Sequence, residues 1–283
     1  MTSAFDPNLI FLLLDNTLPG DTIPGDTIPG DTLTNGNTTI PGDTGTGLTG
    51  NTIPQITDTL GASLAGTAAA DIMRGNIGRD SLYGRGGGDT IFGDDGEDFI
   101  DGEIGNDYIN GNQNRDYILG SDGDDTIFGG KGADTLDGGN GKDLLFGNND
   151  NDLLIAGDDS NNTLYGGAGD DCLVGGNKDD FLSGDRGQDI LVGGDGRDTF
   201  FISINSGSGN RALADIIDDY NQNNDVILLP NDLAFSKLQF ETARLDGVNG
   251  LFIRTDDRDN PTYLAFIPNF TGNLTSGNFK SLP

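Results

Sequence analysis

Carboxylates recur along this chain at an interval that an ordinary globular sequence does not keep. Asp71, Asp80, Asp89, Asp98, Asp107, Asp116, Asp125, Asp134, Asp143 and Asp152 stand nine residues apart. After one inserted residue and an Asn162 the series resumes at Asp171, Asp180, Asp189 and Asp198. Oxygen donors at a fixed pitch suit a hard cation, whereas scattered aspartates merely cap turns by accepting backbone N–H bonds. A carboxylate held at nearly every turn favours the cation.

The residues around each aspartate keep the same pitch. Two positions later stands an apolar side chain: Met73, Leu82, Ile91, Ile100, Ile109, Ile118, Ile127, Leu136, Leu145, Leu154, Leu164, Leu173, Leu182, Leu191 and Phe200. Five positions earlier stands a glycine, from Gly75 and Gly84 to Gly193. The apolar residue lies among β-formers such as Thr, Tyr, Phe, Leu and Val, which gives a strand of about three residues with one side chain inward. Glycine supplies the positive φ angles that turns so closely spaced require. Two such units are the smallest set that closes a flattened coil, so each residue stacks on the one eighteen positions later. Asp89, Asp107, Asp125 and Asp143 then form one column, and Asp80, Asp98, Asp116, Asp134 and Asp152 form another on the opposite edge. The apolar residues meet between the columns.

Electrostatics sets what the columns need. Coils in parallel register are about 4.8 Å apart, and unit charges at that spacing repel by about 0.9 kcal/mol in water, or about 3.5 kcal/mol at an effective dielectric of about 20. A bound cation removes that repulsion and cross-links neighbouring turns. Carboxylates and turn carbonyls are an all-oxygen set, which suits Ca²⁺ over zinc or copper, and over magnesium with its compact octahedron.

Residues 129–137, GGKGADTLD, and 138–146, GGNGKDLLF, fit the pattern GGxGxDxUx. They resemble the RTX, or haemolysin-type, calcium-binding nonapeptide, a β-helix repeat. The resemblance covers nearly half the chain. It implies a parallel β-roll with several Ca²⁺ ions, each held between turns two repeats apart by the aspartates and alternating turn carbonyls. It also implies export by a type I machinery that reads an uncleaved C-terminal signal; the segment from Asp215 through Leu229 and the end at Leu282 resemble the region that follows such rolls.

Departures from the pattern carry information. Asn114, Asp150, Ser160 and Lys178 replace the fourth glycine position, and Asn and Asp tolerate a left-handed backbone better than Ser or Lys. Between Gly157 and Asn162 an irregular turn combines Ser160, the inserted residue and an amide in place of the carboxylate. A bulge and a weak or vacant cation site are expected there, dividing the roll.

The remainder of the chain divides around the roll at residues 67–202. Residues 1–66 carry a PGDT[IL] pentad at 19–23, 24–28 and 29–33, with a partial copy at 41–44. Isolated Pro-Gly turns bury little, so this stretch reads as a flexible arm, the alternative being weak docking of the pentads onto the solenoid or a partner. Residues 203–283 lose the period and show longer β patterns at 214–220, 225–229, 233–241, 250–255 and 262–268, with hairpin-like separators at 246–249 and 256–261. A solenoid leaves its last coil as an open edge, and this all-β segment reads as a cap.

Composition excludes several functions. The chain of 283 residues has 46 Asp and Glu against 15 Lys and Arg, for a formal charge of −31, which repels nucleic acid and anionic membrane. With no His there is no Ser-His-Asp triad or zinc-protease motif, and the single Cys172 leaves no internal disulfide. The apolar run Leu9 to Leu14 is too short to span a membrane, and the first basic residue is Arg74, so neither a transmembrane segment nor a cleaved signal is expected.

The expected function is a secreted or cell-surface calcium-binding protein, structural or interactive rather than enzymatic. The alternatives are a calcium-stabilised enzyme, for which Asp218, Asp219 and Asp225 offer acids without a visible partner, and a carbohydrate-binding adhesin. For the latter, Phe92, Phe128, Phe146 and Tyr165 share one outward column, interrupted by Asn110, and an envelope glycan or surface protein would be the partner. Cross-strand stabilisation is the favoured reading of that column.

Overall fold

A computed structural model describes residues 61, 63–157, 160–203, 210–257 and 261–281. Most of the arm assigned to residues 1–66, the inserted turn at Asp158 and Asp159, and Leu282 lie outside the described residues. The rest is all β apart from three short 3₁₀ turns.

The chain winds between two facing sheets, one strand to each sheet per coil. Ser63–Ala65, Ser81–Tyr83, Phe99–Asp101, Tyr117–Asp122, Thr135–Asn140, Leu153–Ile155, Cys172–Gly176 and Ile190–Gly194 follow one another in the first. Ile72–Ile77, Thr90–Asp95, Tyr108–Gln113, Thr126–Lys131, Leu144–Asn149, Thr163–Ala168, Phe181–Arg186 and Thr199–Phe201 follow one another in the second. Every pairing among these strands is parallel, and the expected register holds: Leu82 opposes Ile100, and Ile109 opposes Ile127.

Many strands are longer than the three residues expected. Thr90–Asp95 runs for six, with its second and fourth residues buried. The second is the apolar ladder residue and the fourth is glycine, so each strand still sends only one large side chain inward. Those side chains, from Met73 to Phe200, are fully buried in one continuous core.

At the insertion Leu145 opposes Leu164, and Leu154 opposes Leu173, a step of nineteen in both sheets. The strands on either side keep their register, so the turn absorbs the extra residue.

The cap begins as a continuation of the roll. Asp215–Ile217 and Val226–Leu229 add one more parallel strand to each sheet. Tyr263–Pro268 then pairs parallel to Asp215–Ile217, and Phe279–Ser281 parallel to Val226–Leu229. Among the described strands the antiparallel pairings are those of Val248–Thr255 with Leu238–Leu245 on one side and Tyr263–Pro268 on the other. The first two are joined by Asp246-Gly247, both at positive φ, as a two-residue hairpin turn requires. These strands extend the first sheet beyond Asp215–Ile217.

Candidate metal centre

Each ladder aspartate sits where its turn enters a strand, and its carboxylate reaches the coil before it. The backbone N–H of Asp71 donates to Asp89 Oδ1 at 2.7 Å, that of Asp89 to Asp107 Oδ1 at 2.7 Å, and that of Asp107 to Asp125 Oδ1 at 2.7 Å. The opposite column repeats the pattern from Asp80 to Asp98, Asp116, Asp134 and Asp152 at 2.8 Å throughout. All the expected site residues therefore fall into the two columns anticipated. Except for the first, Asp71, they are 3% exposed or less.

That bond uses one carboxylate oxygen. The other, Oδ2 of Asp89, Asp98, Asp107, Asp116, Asp125, Asp134, Asp152, Asp171, Asp189 and Asp198, is buried and has no hydrogen-bond partner. An orphaned buried carboxylate oxygen is costly. Repeated along both edges, it fits a group that is itself positively charged.

The glycine five positions before each aspartate explains where such a group fits. A methyl added to Gly120 would lie 2.5 Å from Asp125 Oδ2 and 2.6 Å from the Gly138 carbonyl oxygen of the next coil. One added to Gly93 would lie 2.6 Å from Asp98 Oδ2 and 2.7 Å from the Gly111 carbonyl oxygen. Glycine keeps open a space on which a carboxylate and a carbonyl oxygen converge. Among the described residues no three His, Cys, Asp or Glu side chains gather into a metal cluster. A cation here draws on few carboxylates and on backbone oxygens, a donor set typical of calcium.

Without a cation, burial raises the carboxyls in the middle of the columns. Burial pushes Asp107 up to about 6, Asp98, Asp125, Asp134, Asp171 and Asp198 up to about 7, and Asp116 and Asp152 up to about 8. The accepted N–H bond pulls each of them down, and neighbouring carboxylates add to the rise.

The ends and the defect differ from the middle. At the start, Oδ2 of Asp71 accepts from the Thr67 N–H at 2.6 Å, and Oδ2 of Asp80 from the Asn76 N–H at 2.8 Å. At the defect, Asn162 keeps the ladder bond, its Oδ1 accepting from the Asp143 N–H at 2.8 Å. Its Nδ2 donates to the Ser160 carbonyl at 3.1 Å. The place of an open carboxylate oxygen is thus filled by a satisfied amide.

Two ladder residues escape the sequence pattern. Asp215 accepts from the Asp189 N–H at 3.3 Å, and Asp225 from the Asp198 N–H at 3.1 Å, at spacings of 26 and 27. The triplets Asp215-Ile216-Ile217 and Asp225-Val226-Ile227 repeat the aspartate-x-apolar signal. They lack the glycine five residues earlier and the period of nine, so they stand outside the repeat. Asp219, an acid without a visible partner in the sequence, accepts from the N–H groups of Gly193 and Gly194 at 2.9 and 2.6 Å.

A parallel two-sheet solenoid edged by paired carboxylate columns defines a β-roll of calcium-binding type. The model of the RTX calcium-binding nonapeptide repeat matches residues 65–100, 83–118, 119–154, 154–177 and 173–200, so the roll is built of that family's repeats. No curated protein matches the chain.

Proposed function

We propose that this is a secreted or cell-surface protein whose roll folds on binding several calcium ions along both aspartate columns, and whose role is structural or interactive rather than enzymatic. The observation that carries this is the row of buried, unpartnered Oδ2 atoms, with a carbonyl oxygen of the following coil converging on the same space at sites such as Asp98 and Asp125. Calcium turns those unmet acceptors into ligands and fastens coil to coil. Extracellular modules bind with Kd of about 10⁻⁴ to 10⁻³ M. At about 1 mM calcium, a site of about 10⁻⁴ M adds roughly 1.4 kcal/mol, an increment that vanishes at cytosolic calcium levels. The roll therefore stays unfolded during passage through a type I exporter and folds outside.

Circular dichroism of the full chain tests this. β signal should appear on adding calcium and be lost in EGTA; a full β signal in excess EGTA would overturn it. Recovery from the medium or envelope rather than the cell interior tests the localisation, and a screen with polysaccharide, ester and peptide substrates tests the absence of catalysis.

The aromatic column supports a bracing role over a glycan platform. Tyr108 fills the gap left at Asn110, and Phe181 extends the run. Phe92, Tyr108, Phe128, Phe146, Tyr165 and Phe181 thus follow one another with centroids 4.8 to 6.2 Å apart. Phe128, Phe146 and Tyr165 are near parallel, at 5° and 6°, and stacked on one another. A sugar ring packs on an open aromatic face, and here the faces cover each other.

A further inference from the structure

The glycine that keeps each cation space open has a counterpart in every coil of its column, and at the defect that counterpart is not glycine. Ile155 opposes Asp137 in the coil before it and Val174 in the coil after it, so the next residue, Ala156, falls in line with Gly138 and Gly175. Its backbone N–H donates to the Val174 carbonyl at 2.9 Å, as that of Gly102 donates to the Leu119 carbonyl at 2.9 Å. Gly157, which stands five residues before Asn162, holds a different place. It lies at φ 102° against the Gly139 carbonyl, and Gly139 is itself at φ 89°, so both occupy the second glycine position of their turns. The inserted residue falls beyond Gly157. Among the described repeat turns, the one leading to Asn162 thus has alanine where the others have the space-keeping glycine.

We propose that Ala156 narrows the cation space of the Asn162 turn, so that its methyl, and not the amide alone, sets how weakly this turn holds calcium. The inference rests on the calcium reading of the roll.

A methyl on Gly138 would lie 2.5 Å from Asp143 Oδ2, and one on Gly120 would lie 2.5 Å from Asp125 Oδ2, too near for carbon and oxygen unless one of them shifts. Ala156 carries a real methyl at the equivalent point. It is fully buried in the apolar core, and a methyl has no torsion by which to leave the space. The side chain that would face it, Asn162, turns its Nδ2 to the Ser160 carbonyl at 3.1 Å. A carboxylate at position 162 has to give way to the same methyl, and an ion that draws on few carboxylates loses affinity when one of them is displaced. The opposite edge keeps its space open past the defect. There Asp152 and Asp171 have buried, unpartnered Oδ2 atoms, each beside a glycine, Gly147 and Gly166. Calcium therefore runs on along one edge and is interrupted on the other.

Equilibrium dialysis of the full chain over a range of calcium concentrations compares the wild type, Ala156→Gly, Asn162→Asp and the double variant. Ala156→Gly alone should leave the ion count unchanged, since it supplies no charge. The ion gained by Asn162→Asp should be gained by the double variant at about tenfold lower calcium, the lower end of the roughly 10–100-fold by which disturbing the support of a metal ligand weakens binding. Gain at the same calcium concentration, or no gain in the double variant, overturns the role of Ala156. A wild type that binds no calcium instead overturns the reading of the whole roll. Gly120→Ala tests the same contact away from the defect, and Ala156 shows that the backbone admits alanine at this position. It should weaken one ion of the intact column by a similar factor; a binding isotherm identical to that of the wild type would also overturn the proposal.

Discussion

The roll and the antiparallel part of the cap solve the same problem by opposite means. In the roll each strand contributes one large inward side chain, and buried carboxylate oxygens line both edges. In the cap, Tyr263–Pro268 is buried along nearly its whole length, and Phe252 packs on Phe266 with centroids 4.6 Å apart. Burying such side chains contributes about 1.5–3 kcal/mol each without any ion. One region is a thin core that needs counter-charge, and the other is a conventional apolar core.

Chelation should separate them most strongly. In EGTA, amide protection at Thr126–Lys131 and Leu144–Asn149 should collapse, while Val248–Thr255 and Tyr263–Pro268 retain protection for longer. If all four segments lose protection at one calcium concentration, the two cores are a single cooperative unit and the contrast fails.

Acid should partly stand in for calcium in the roll alone. The folded ladder holds protons up to about 6 to 8 at Asp107, Asp98, Asp116 and Asp152, against about 3.9 for an unfolded aspartate. The folded state therefore binds more protons than the unfolded state across that window. The contribution to stability is greatest below about pH 4 and is lost as pH rises through the folded values. Calcium-free β signal should grow as pH falls from 8 to about 5, and half-saturating calcium should rise over the same range because protons compete for the ligands. A pH-independent calcium midpoint would contradict buried carboxylates as ligands.

Phe266→Ala should cost about 3–5 kcal/mol in the cap, an effect that added calcium does not offset at its source. Denaturant unfolding monitored at fixed saturating calcium measures it. Full recovery by raising calcium would place that side chain on the roll's side of the comparison.

The roll was legible because one rule, repeated, fixes register, strand direction, core and edge together. A slip of one residue would turn Ile109 outward and Asp107 away from its column, so the periodicity alone chooses the pairing. The cap strands were legible as β but not in their pairing. Nothing in the triplets at Asp215 and Asp225 announces that they extend the two columns at irregular spacings. The outward column in the sequence is interrupted at Asn110, and only the approach of the Tyr108 ring to Phe92 and Phe128 closes that gap in the aromatic run.

The defect offers a smaller and sharper test. Asn162→Asp restores the missing carboxylate while the ladder bond through Oδ1 is kept. One more calcium ion should bind, adding roughly 1.4 kcal/mol at about 1 mM calcium for a site of about 10⁻⁴ M. An unchanged ion count would assign the vacancy to the irregular turn before Asn162 rather than to the amide.

The smallest effect separates turn geometry from metal binding within the roll. The sequence pattern drew attention to the fourth glycine position, where Asn114 and Asp150 are indeed left-handed at φ 72° and 74°. The second glycine position is also replaced, and there Arg85, Glu103 and Ser121 are held at φ 74°, 63° and 76°. A left-handed backbone costs such residues about 1–2 kcal/mol, less for asparagine, whereas glycine bears no such cost but loses more entropy on folding. Glu103→Gly keeps the backbone N–H that donates to Asp101 Oδ1 and should stabilise the calcium-loaded roll by about 1 kcal/mol. Asn112→Gly, at φ 76°, should change it by little. Thermal unfolding in saturating calcium compares the two. Equal shifts would mean that the stacked turns, rather than the residue's own backbone preference, set the cost of the left-handed angle.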